Sequence, residues 1–187
     1  LIVYVRVIQQ GDKISTGEET RVWKRDPVSK AHVFGVDIDT RHFIGGKRIA
    51  SAETYTDLSP IDMSELGQIS RGGKQEIDLA VQAAKAAFPA WAALGPEGRG
   101  KLLFKLADLI EENVELLANV ETLDNGSLLR SHRRGVMPRA AMNIRFFAEW
   151  AMNQLSHPDF ETRGHTNKIS WDPSGVAALI TPWNAPL

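Results

Sequence analysis

The stretch Gly175-Val-Ala-Ala-Leu-Ile-Thr-Pro-Trp-Asn-Ala-Pro-Leu187 decides how the whole chain is interpreted. Its residues 176–180 form a continuous apolar run, short enough for a strand buried on both faces of a parallel sheet. Two prolines then end the run, because each removes a backbone donor and fixes φ. The pattern predicts a strand whose carboxyl end carries Trp183 and Asn184, at the sheet edge where open α/β proteins bind ligands.

Upstream of this strand, the hydrophobic pattern passes from short β-strands to amphipathic helices. Residues 43–49 predict a strand, a tight glycine turn and a return strand, and two further strands are predicted over 54–58 and 66–70. Four helices follow. The first is predicted over 76–93 and the second begins at Pro96. The third is predicted over 114–124 and ends at the left-handed stop Asn125-Gly126, and the fourth is predicted over 138–155.

Apolar residues at helical spacing predict which faces of these helices lie in the core. The predicted core face of the first helix consists of Ile77, Val81, Ala84 and Phe88. That of the second consists of Leu102, Leu103, Leu106, Leu109 and Ile110, and that of the fourth of Ala140, Ile144, Phe147 and Ala151. After the helices, residues 166–171 predict an extended strand.

Composition excludes several classes of partner. The 187 residues carry a net charge of -1, so no overall field attracts nucleic acid or an anionic membrane. No apolar stretch approaches the roughly 20 residues that cross a bilayer. The chain contains 0 cysteines, which excludes disulfides and thiolate metal sites and fits a reducing compartment, so we expect a cytoplasmic protein.

The two ends of the sequence carry less information. Residues 1–41 show no clear period and no resemblance to a known protein, and they are left as an unassigned amino-terminal extension, with a β-strand predicted over 1–8. At the other end, a single parallel strand cannot form a sheet alone. We therefore expect the natural protein to continue past Leu187.

From residue 42 onward, the order of short motifs resembles the amino-terminal third of NAD(P)-dependent aldehyde dehydrogenases. The matching motifs are Phe43-Ile44-Gly45-Gly46, Leu58-Ser59-Pro60, Phe88-Pro89-Ala90-Trp91, Glu121-Thr122-Leu123-Asp124-Asn125-Gly126, Pro173-Ser174-Gly175-Val176 and Ile180-Thr181-Pro182-Trp183-Asn184. Within the superfamily, residues 146–150 and the alanine after Asn184 are most similar to hydroxymuconic semialdehyde-type dehydrogenases. The resemblance implies an α/β, aldehyde dehydrogenase-like fold, truncated after the first parallel strand of the dinucleotide-binding domain.

The same resemblance implies a domain organisation. Residues 42–157 would supply the short strands and helical leader of the cofactor-binding domain, 158–172 an oligomerisation arm, and 173–187 the first parallel strand of that domain. The complete protein would be a homo-oligomer, a dimer or a tetramer. No Gly-x-Gly-x-x-Gly occurs in the sequence, so binding of NAD or NADP follows from the resemblance alone.

The implied reaction is oxidation of an aldehyde, with a semialdehyde as one option, to a carboxylate. The family's nucleophilic Cys and its general base Glu match no position in this chain, so these residues alone are expected to be inactive. The acylating and non-phosphorylating members of the superfamily remain open alternatives. A truncated, non-catalytic module that binds cofactor weakly, or serves only assembly, is the alternative function.

Asn184 is the candidate catalytic residue. In the family chemistry, negative charge grows on the aldehyde oxygen, and a neutral amide N–H can stabilise it without titrating. Ile180, Thr181, Pro182, Trp183 and Asn184 are the candidate cofactor-binding residues, since free backbone carbonyls and an indole suit a ribose or nicotinamide. The alternatives are that Asn184 closes a proline-rich turn and that Trp183 caps the core.

No confident metal site is predicted. Asp57, Leu58 and Asp124 match positions where some relatives hold a monovalent cation through a carboxylate and backbone carbonyls, although Asp124 is favoured as a helix-end residue. The five histidines show no ligand spacing and are interpreted as surface or core residues: His32, His42, His132, His157 and His165.

Overall fold

The protein is described here by a computed structural model that covers residues 30–154, 158–184 and 187. The strand predicted over 1–8 lies outside these residues. Among the described residues, six short strands precede the helices: β1 Lys30–Val33, β2 Val36–Asp39, β3 His42–Ile44, β4 Lys47–Ile49, β5 Thr54–Leu58 and β6 Glu65–Ser70.

The helical part follows the sixth strand and is nearly continuous. It consists of α1 Lys74–Ala93, α2 Gly95–Glu112, α3 Val114–Asn125, the single turn α4 Leu129–Ser131, a π-helical turn His132–Val136 and α5 Met137–Gln154. A small hairpin comes last, made of β7 Phe160–Thr162 and β8 His165–Asn167.

The larger of the described sheets has four antiparallel strands in the order β2-β1-β6-β5. The two outer strands on one side, β1 and β2, form a hairpin that the sequence analysis left unassigned. Val33 pairs with Val36 across a turn in which Phe34 and Gly35 both have positive φ, 56° and 76°, the geometry of a two-residue hairpin turn. Gly35 was the sequence feature that could have predicted this hairpin turn. Phe34 argued against it, because a bulky residue is strained at positive φ and is rare in such turns.

The hairpin β1–β2 joins the sheet through one close backbone approach. Ala31, which is buried, lies directly opposite Gly67 of β6. A Cβ atom on Gly67 would lie 2.5 Å from the Cα of Ala31 and 2.6 Å from the carbonyl oxygen of Lys30. Only glycine therefore permits β1 to lie this close to β6.

The predicted strands and helix boundaries are confirmed from residue 42 to the end of α3. The hairpin β3–β4 turns through Gly45 and Gly46 at φ 58° and 80°, which favours glycine at both positions. Pro96 lies in the first turn of α2, where its missing N–H costs nothing. Gly126 ends α3 in the left-handed conformation, φ 76° and ψ 4°, as its sequence predicts.

The core of the helical part is the contact between α2 and α5. Ala107 and Ile110 of α2 pack against Ala141 of α5, and all three are buried. Further along, Gly100 of α2 lies directly against the side chain of Met152 on α5. Small residues on facing sides allow this close approach, which gives dense packing.

An ion-pair cluster links α2 and α5 at the edge of their contact. The guanidinium of Arg145 on α5 donates to the carboxylates of Glu111 at 2.6 Å and Asp108 at 2.5 Å, both on α2. These hydrogen bonds hold the pKa of Glu111 below its ordinary value. Arg145 thereby fixes the register of α5 along α2.

Part of each predicted core face is wrong. On α5 the buried positions are Met137, Ala141 and Ala148, with Ile144 partly buried, whereas Phe147 is 64% exposed. The face is rotated by one residue because close packing on α2 selects small side chains over large ones. The same effect leaves Leu102 and Leu109 of α2 exposed.

The strands predicted after the helices are also largely wrong. Residues 176–180 form no strand in the described structure, and only Leu179 makes an isolated β-bridge. All described strand pairs are antiparallel, so a parallel neighbour that would bury this run is not among the described residues. Of the strand predicted over 166–171, only the part in β8 forms, paired with β7.

We predict that Gly67→Ala detaches the hairpin β1–β2 from the sheet. The added methyl meets backbone atoms that cannot move aside, and overpacking of this kind costs about 1–3 kcal/mol. Amide hydrogen exchange in β1 should accelerate while that of α2 is unchanged. Gly135→Ala is the matched control, because nothing lies within 4 Å of its new methyl. Unchanged exchange in β1 would show that the close approach does not hold the hairpin.

Candidate functional site

The segment 180–184 leaves the body of the protein and faces solvent. Ile180 is 77% exposed and Trp183 is 75% exposed, and Trp183 and Asn184 form a turn. The exposure of Trp183 excludes the alternative that it caps the core of the described structure. The turn at Asn184 agrees both with a turn-closing residue and with an amide presented to a ligand.

A cavity of about 600 Å³ lies immediately before this segment, between α1 and residues 174–180. The wall formed by α1 is mainly apolar and includes Ile77, Val81 and Phe88. Lys85 is the one charged residue in the lining. The structure therefore brings Ile180 into the cavity wall but leaves residues 181–184 beyond it.

Helix α1 positions this apolar wall. The carboxylate of Glu76 accepts the backbone N–H of Gly73 at 2.7 Å, which satisfies one free donor of the first turn and holds the pKa of Glu76 below its ordinary value. Ala80 and Ala84 are buried against the body of the protein. Ile77 and Val81, predicted as core residues, are instead exposed and line the cavity.

The exposure of this helix face has a physical cause. Helix α1 contacts β3 and α2, and its buried residues are Ala80 and Ala84. The apolar stripe of α1 is wider than the surface that these residues cover, so part of it stays exposed. Residues 174–180 lie across the remaining apolar side with space between. Lys85 was not singled out by sequence analysis, and its spacing from Val81 was the only available signal.

The three candidate cation ligands lie on two neighbouring parts of the fold. Asp57 and Leu58 end β5 at an irregularity in its pairing with β6. Asp124 lies in the last turn of α3, followed by the left-handed Gly126. A Cβ on Gly126 would lie 3.0 Å from Cγ of Pro60, so the end of α3 packs against the turn that follows β5. This packing agrees with the favoured helix-end role of Asp124 and does not test a cation role.

The part of the chain that the structure describes contains no cluster of three or more histidine, aspartate or glutamate side chains able to hold a metal ion. None of the described helices combines the length and the apolar character that a membrane-crossing helix needs.

Sequence analysis missed a buried polar network at the end of α3. His132, in the π-helical turn, is only 2% exposed, and its Nε2 lies 2.5 Å from the hydroxyl oxygen of Ser127. The backbone N–H of Ser127 donates to the side-chain oxygen of Asn125 at 2.9 Å, and the amide of Asn125 donates to Glu121 at 3.1 Å. Sequence spacing gave no signal for it, because the π-helical turn changes which side chains face α3.

Comparison with known proteins decides the family. The sequence profile of the aldehyde dehydrogenase family matches residues 48–187. The chain belongs to the aldehyde dehydrogenase family. The helices α1 to α5 and the segment 180–184 lie within the matched region, whereas the hairpin β1–β2 and strand β3 precede it.

Several named relatives belong to the semialdehyde branch that the motifs resemble. The chain is 37% identical over 147 residues to the 2-aminomuconic semialdehyde dehydrogenase of Bos taurus, which covers 78% of this chain and 30% of the relative. It is also 37% identical over 147 residues to the 5-carboxymethyl-2-hydroxymuconate semialdehyde dehydrogenase of Escherichia coli, with 78% and 31% coverage. The chain thus spans about a third of the length of these curated relatives.

Solved aldehyde dehydrogenases share the fold. PnpE in complex with nicotinamide adenine dinucleotide superposes with a TM-score of 0.63 and 37% identity, over 67% of this chain and 26% of that one. The AldA indole-3-acetaldehyde dehydrogenase of P. syringae superposes with a TM-score of 0.64 and 30% identity, over 68% and 26%. The predicted aldehyde dehydrogenase-like fold, with mixed helix and sheet, is therefore confirmed.

We predict that a dye on Val81 reports the apolar cavity. The chain has 0 cysteines, so Val81→Cys can be labelled at a single position with a polarity-sensitive fluorophore. Its emission should be shifted to shorter wavelength, because apolar surroundings exclude water from the dye. Gln82→Cys, exposed on the same helix, is the control. Identical spectra at the two positions would contradict the cavity.

Proposed function

We propose that these residues are part of an oxidoreductase that oxidises an aldehyde to a carboxylate, with NAD or NADP as the hydride acceptor. The observation that carries this proposal is the family match through residue 187, which includes the exposed Pro182-Trp183-Asn184 turn beside an apolar cavity wall. The names of the relatives support a semialdehyde as the substrate class.

The proposed role of Asn184 is to stabilise charge on the reacting oxygen. When a thiolate attacks an aldehyde carbonyl, the carbonyl oxygen becomes an anion, and a fixed amide N–H aimed at it lowers the barrier. Each such donor contributes roughly 2.7–4 kcal/mol in comparable sites. An amide suits the role because it donates at every pH at which the enzyme works.

Residues 180–183 are proposed to form one wall of the cofactor site. Their exposure leaves backbone carbonyls and the indole of Trp183 accessible to a ligand, and apolar walls with a few polar groups are typical of cofactor sites. PnpE was solved with NAD, which supports NAD as the cofactor here. The cofactor, when bound, would accept the hydride, while these residues hold it in place.

Two further assignments belong to the same proposal. The exposed hairpin β7–β8 lies within the proposed oligomerisation arm, 158–172, of a dimer or tetramer. The lack of cysteine supports a reducing compartment such as the cytoplasm. No cation is assigned to Asp57, Leu58 and Asp124, because the end of α3 accounts for Asp124 without an ion.

One observation favours a second function for these residues taken alone. They contain 0 cysteines, so they cannot supply the thiolate that forms the covalent intermediate. By themselves they would be a non-catalytic module that binds cofactor weakly or serves assembly.

We predict that the purified 187-residue chain produces no NADH from aldehydes. Catalytic groups that act as a unit leave little activity when the nucleophile and base are both absent. The assay is absorbance of NADH with a panel of semialdehydes. Sustained turnover above the buffer rate would overturn this expectation.

We predict that Asn184→Ala, in the complete enzyme that carries these residues, lowers kcat by roughly 10²–10³. The cofactor KM should change much less, because the amide acts on charge present mainly in the transition state. Thr181→Ala is the control and should have a small effect, since its backbone contacts survive. A kcat within about twofold of the parent, with weakened cofactor binding, would assign Asn184 to the cofactor wall instead.

A further inference from the structure

His132 of the π-helical turn holds the residues that follow α3 through its contact with Ser127. We propose that His132 is an acid-sensitive latch: in its neutral form it anchors the turn 126–128 to the helical body, and on protonation it releases that turn. The latch is independent of the proposed catalytic residues.

The direction of each hydrogen bond fixes the proton on one ring nitrogen. The hydroxyl of Ser127 donates its only proton to the side-chain oxygen of Asn125. It can therefore only accept at its contact with His132, so Nε2 of the ring carries the N–H. A neutral ring then has a bare lone pair at Nδ1.

A proton on Nδ1 would have no hydrogen-bond acceptor among the described residues. Nδ1 of His132 is buried and has no hydrogen-bond partner among the described residues. A proton added there would bury a cation whose N–H lacks an acceptor, which is costly in a site closed to water. The ring must then leave its position or let water in, and either movement breaks the bond to Ser127.

Charged groups on the neighbouring elements do not remove this cost. The ionisable residues on the elements packed against the ring are Glu115, Glu121 and Asp124 on α3, Arg130 on α4, Arg133 and Arg134 on the π-helical turn, and Arg139, Arg145 and Glu149 on α5. Glu115 is already paired with Arg133 at 2.6 Å, and Glu121 accepts from Asn125. Burial lowers the pKa of His132 from its ordinary value of 6.5.

The sign of the pH effect follows from this lowered pKa. Well above pH 6.5 the ring is neutral in both the folded and the unfolded chain, and the latch contributes its full stability. As the pH falls, the unfolded chain takes up a proton first, so stability is lost until the pH passes through the folded-state pKa.

The released turn matters because two parts of the fold meet there. Gly126 packs on Pro60 in the turn after β5, and the carbonyl of Leu128 accepts the backbone N–H groups of Ser131 and His132. Loosening residues 126–128 therefore loosens the contact between the helices and the sheet.

The test is nuclear magnetic resonance of the native chain, with nitrogen shifts of the histidine rings and amide exchange over residues 127–132. At about pH 7.5 the ring of His132 should be neutral with its proton on Nε2. As the pH is lowered until the ring takes up its second proton, exchange protection of this turn should be lost. His132→Gln keeps a side-chain N–H but cannot titrate, so its protection should not change with pH.

The matched control is His32→Gln, which removes an exposed histidine paired with Asp37 and should behave as the parent does. If His132→Gln does not fold, the native chain still decides the matter. A proton on Nδ1 at neutral pH, or titration of His132 without local loss of protection, would overturn the latch.

Discussion

The close approach of α2 and α5 is the contact on which the other helical contacts depend. Gly100 of α2 lies against the side chain of Met152, and Ala107 and Ile110 of α2 pack against Ala141 of α5, so dispersion contacts accumulate along the interface. Because α5 continues directly from the π-helical turn, its position also sets where His132 meets α3. The end of α3, in turn, rests on Pro60 and so connects the helices to the four-stranded sheet.

The candidate site lies beside α1, where one apolar face of the helix is left partly uncovered. Helix α1 buries its alanines against the body and leaves Ile77 and Val81 facing a cavity. The matched family segment crosses this face and then presents Trp183 and Asn184 to solvent. An apolar wall next to an amide donor is the combination that an aldehyde oxidation site needs, since the wall excludes water and the amide meets the charge.

Local sequence rules predicted what local forces control. The glycine pair Gly45-Gly46, Pro96 and the Asn125-Gly126 stop act within a few residues, and all were placed correctly. Burial depends on contacts with residues that are distant in sequence. The predicted core faces of α2 and α5 were therefore rotated relative to the faces that are buried, and Phe147 is exposed. The apolar run at 176–180 was predicted as a buried strand from composition alone, but burial requires neighbouring strands, and the described residues provide only a bridge at Leu179.

For the candidate site, too, sequence analysis predicted what depends on local sequence and missed what depends on tertiary contacts. Motif order along the chain was enough to identify the family, because it does not depend on packing. The cavity wall and the His132 network are products of tertiary contact that no spacing in the sequence marked, and Lys85 was marked only by its spacing from Val81. The role of Asn184 also depends on groups that the 187 residues do not contain, since an oxyanion donor is defined by the oxygen that it meets.

The most direct test of this account is a crystal structure of the complete enzyme with NAD and a bound aldehyde analogue. The account predicts the side-chain nitrogen of Asn184 at about 2.7–3.1 Å from the analogue's oxygen, with the backbone of residues 180–183 against the nicotinamide ribose. A structure in which the amide of Asn184 bonds only within its own turn, while another donor meets that oxygen, would contradict it.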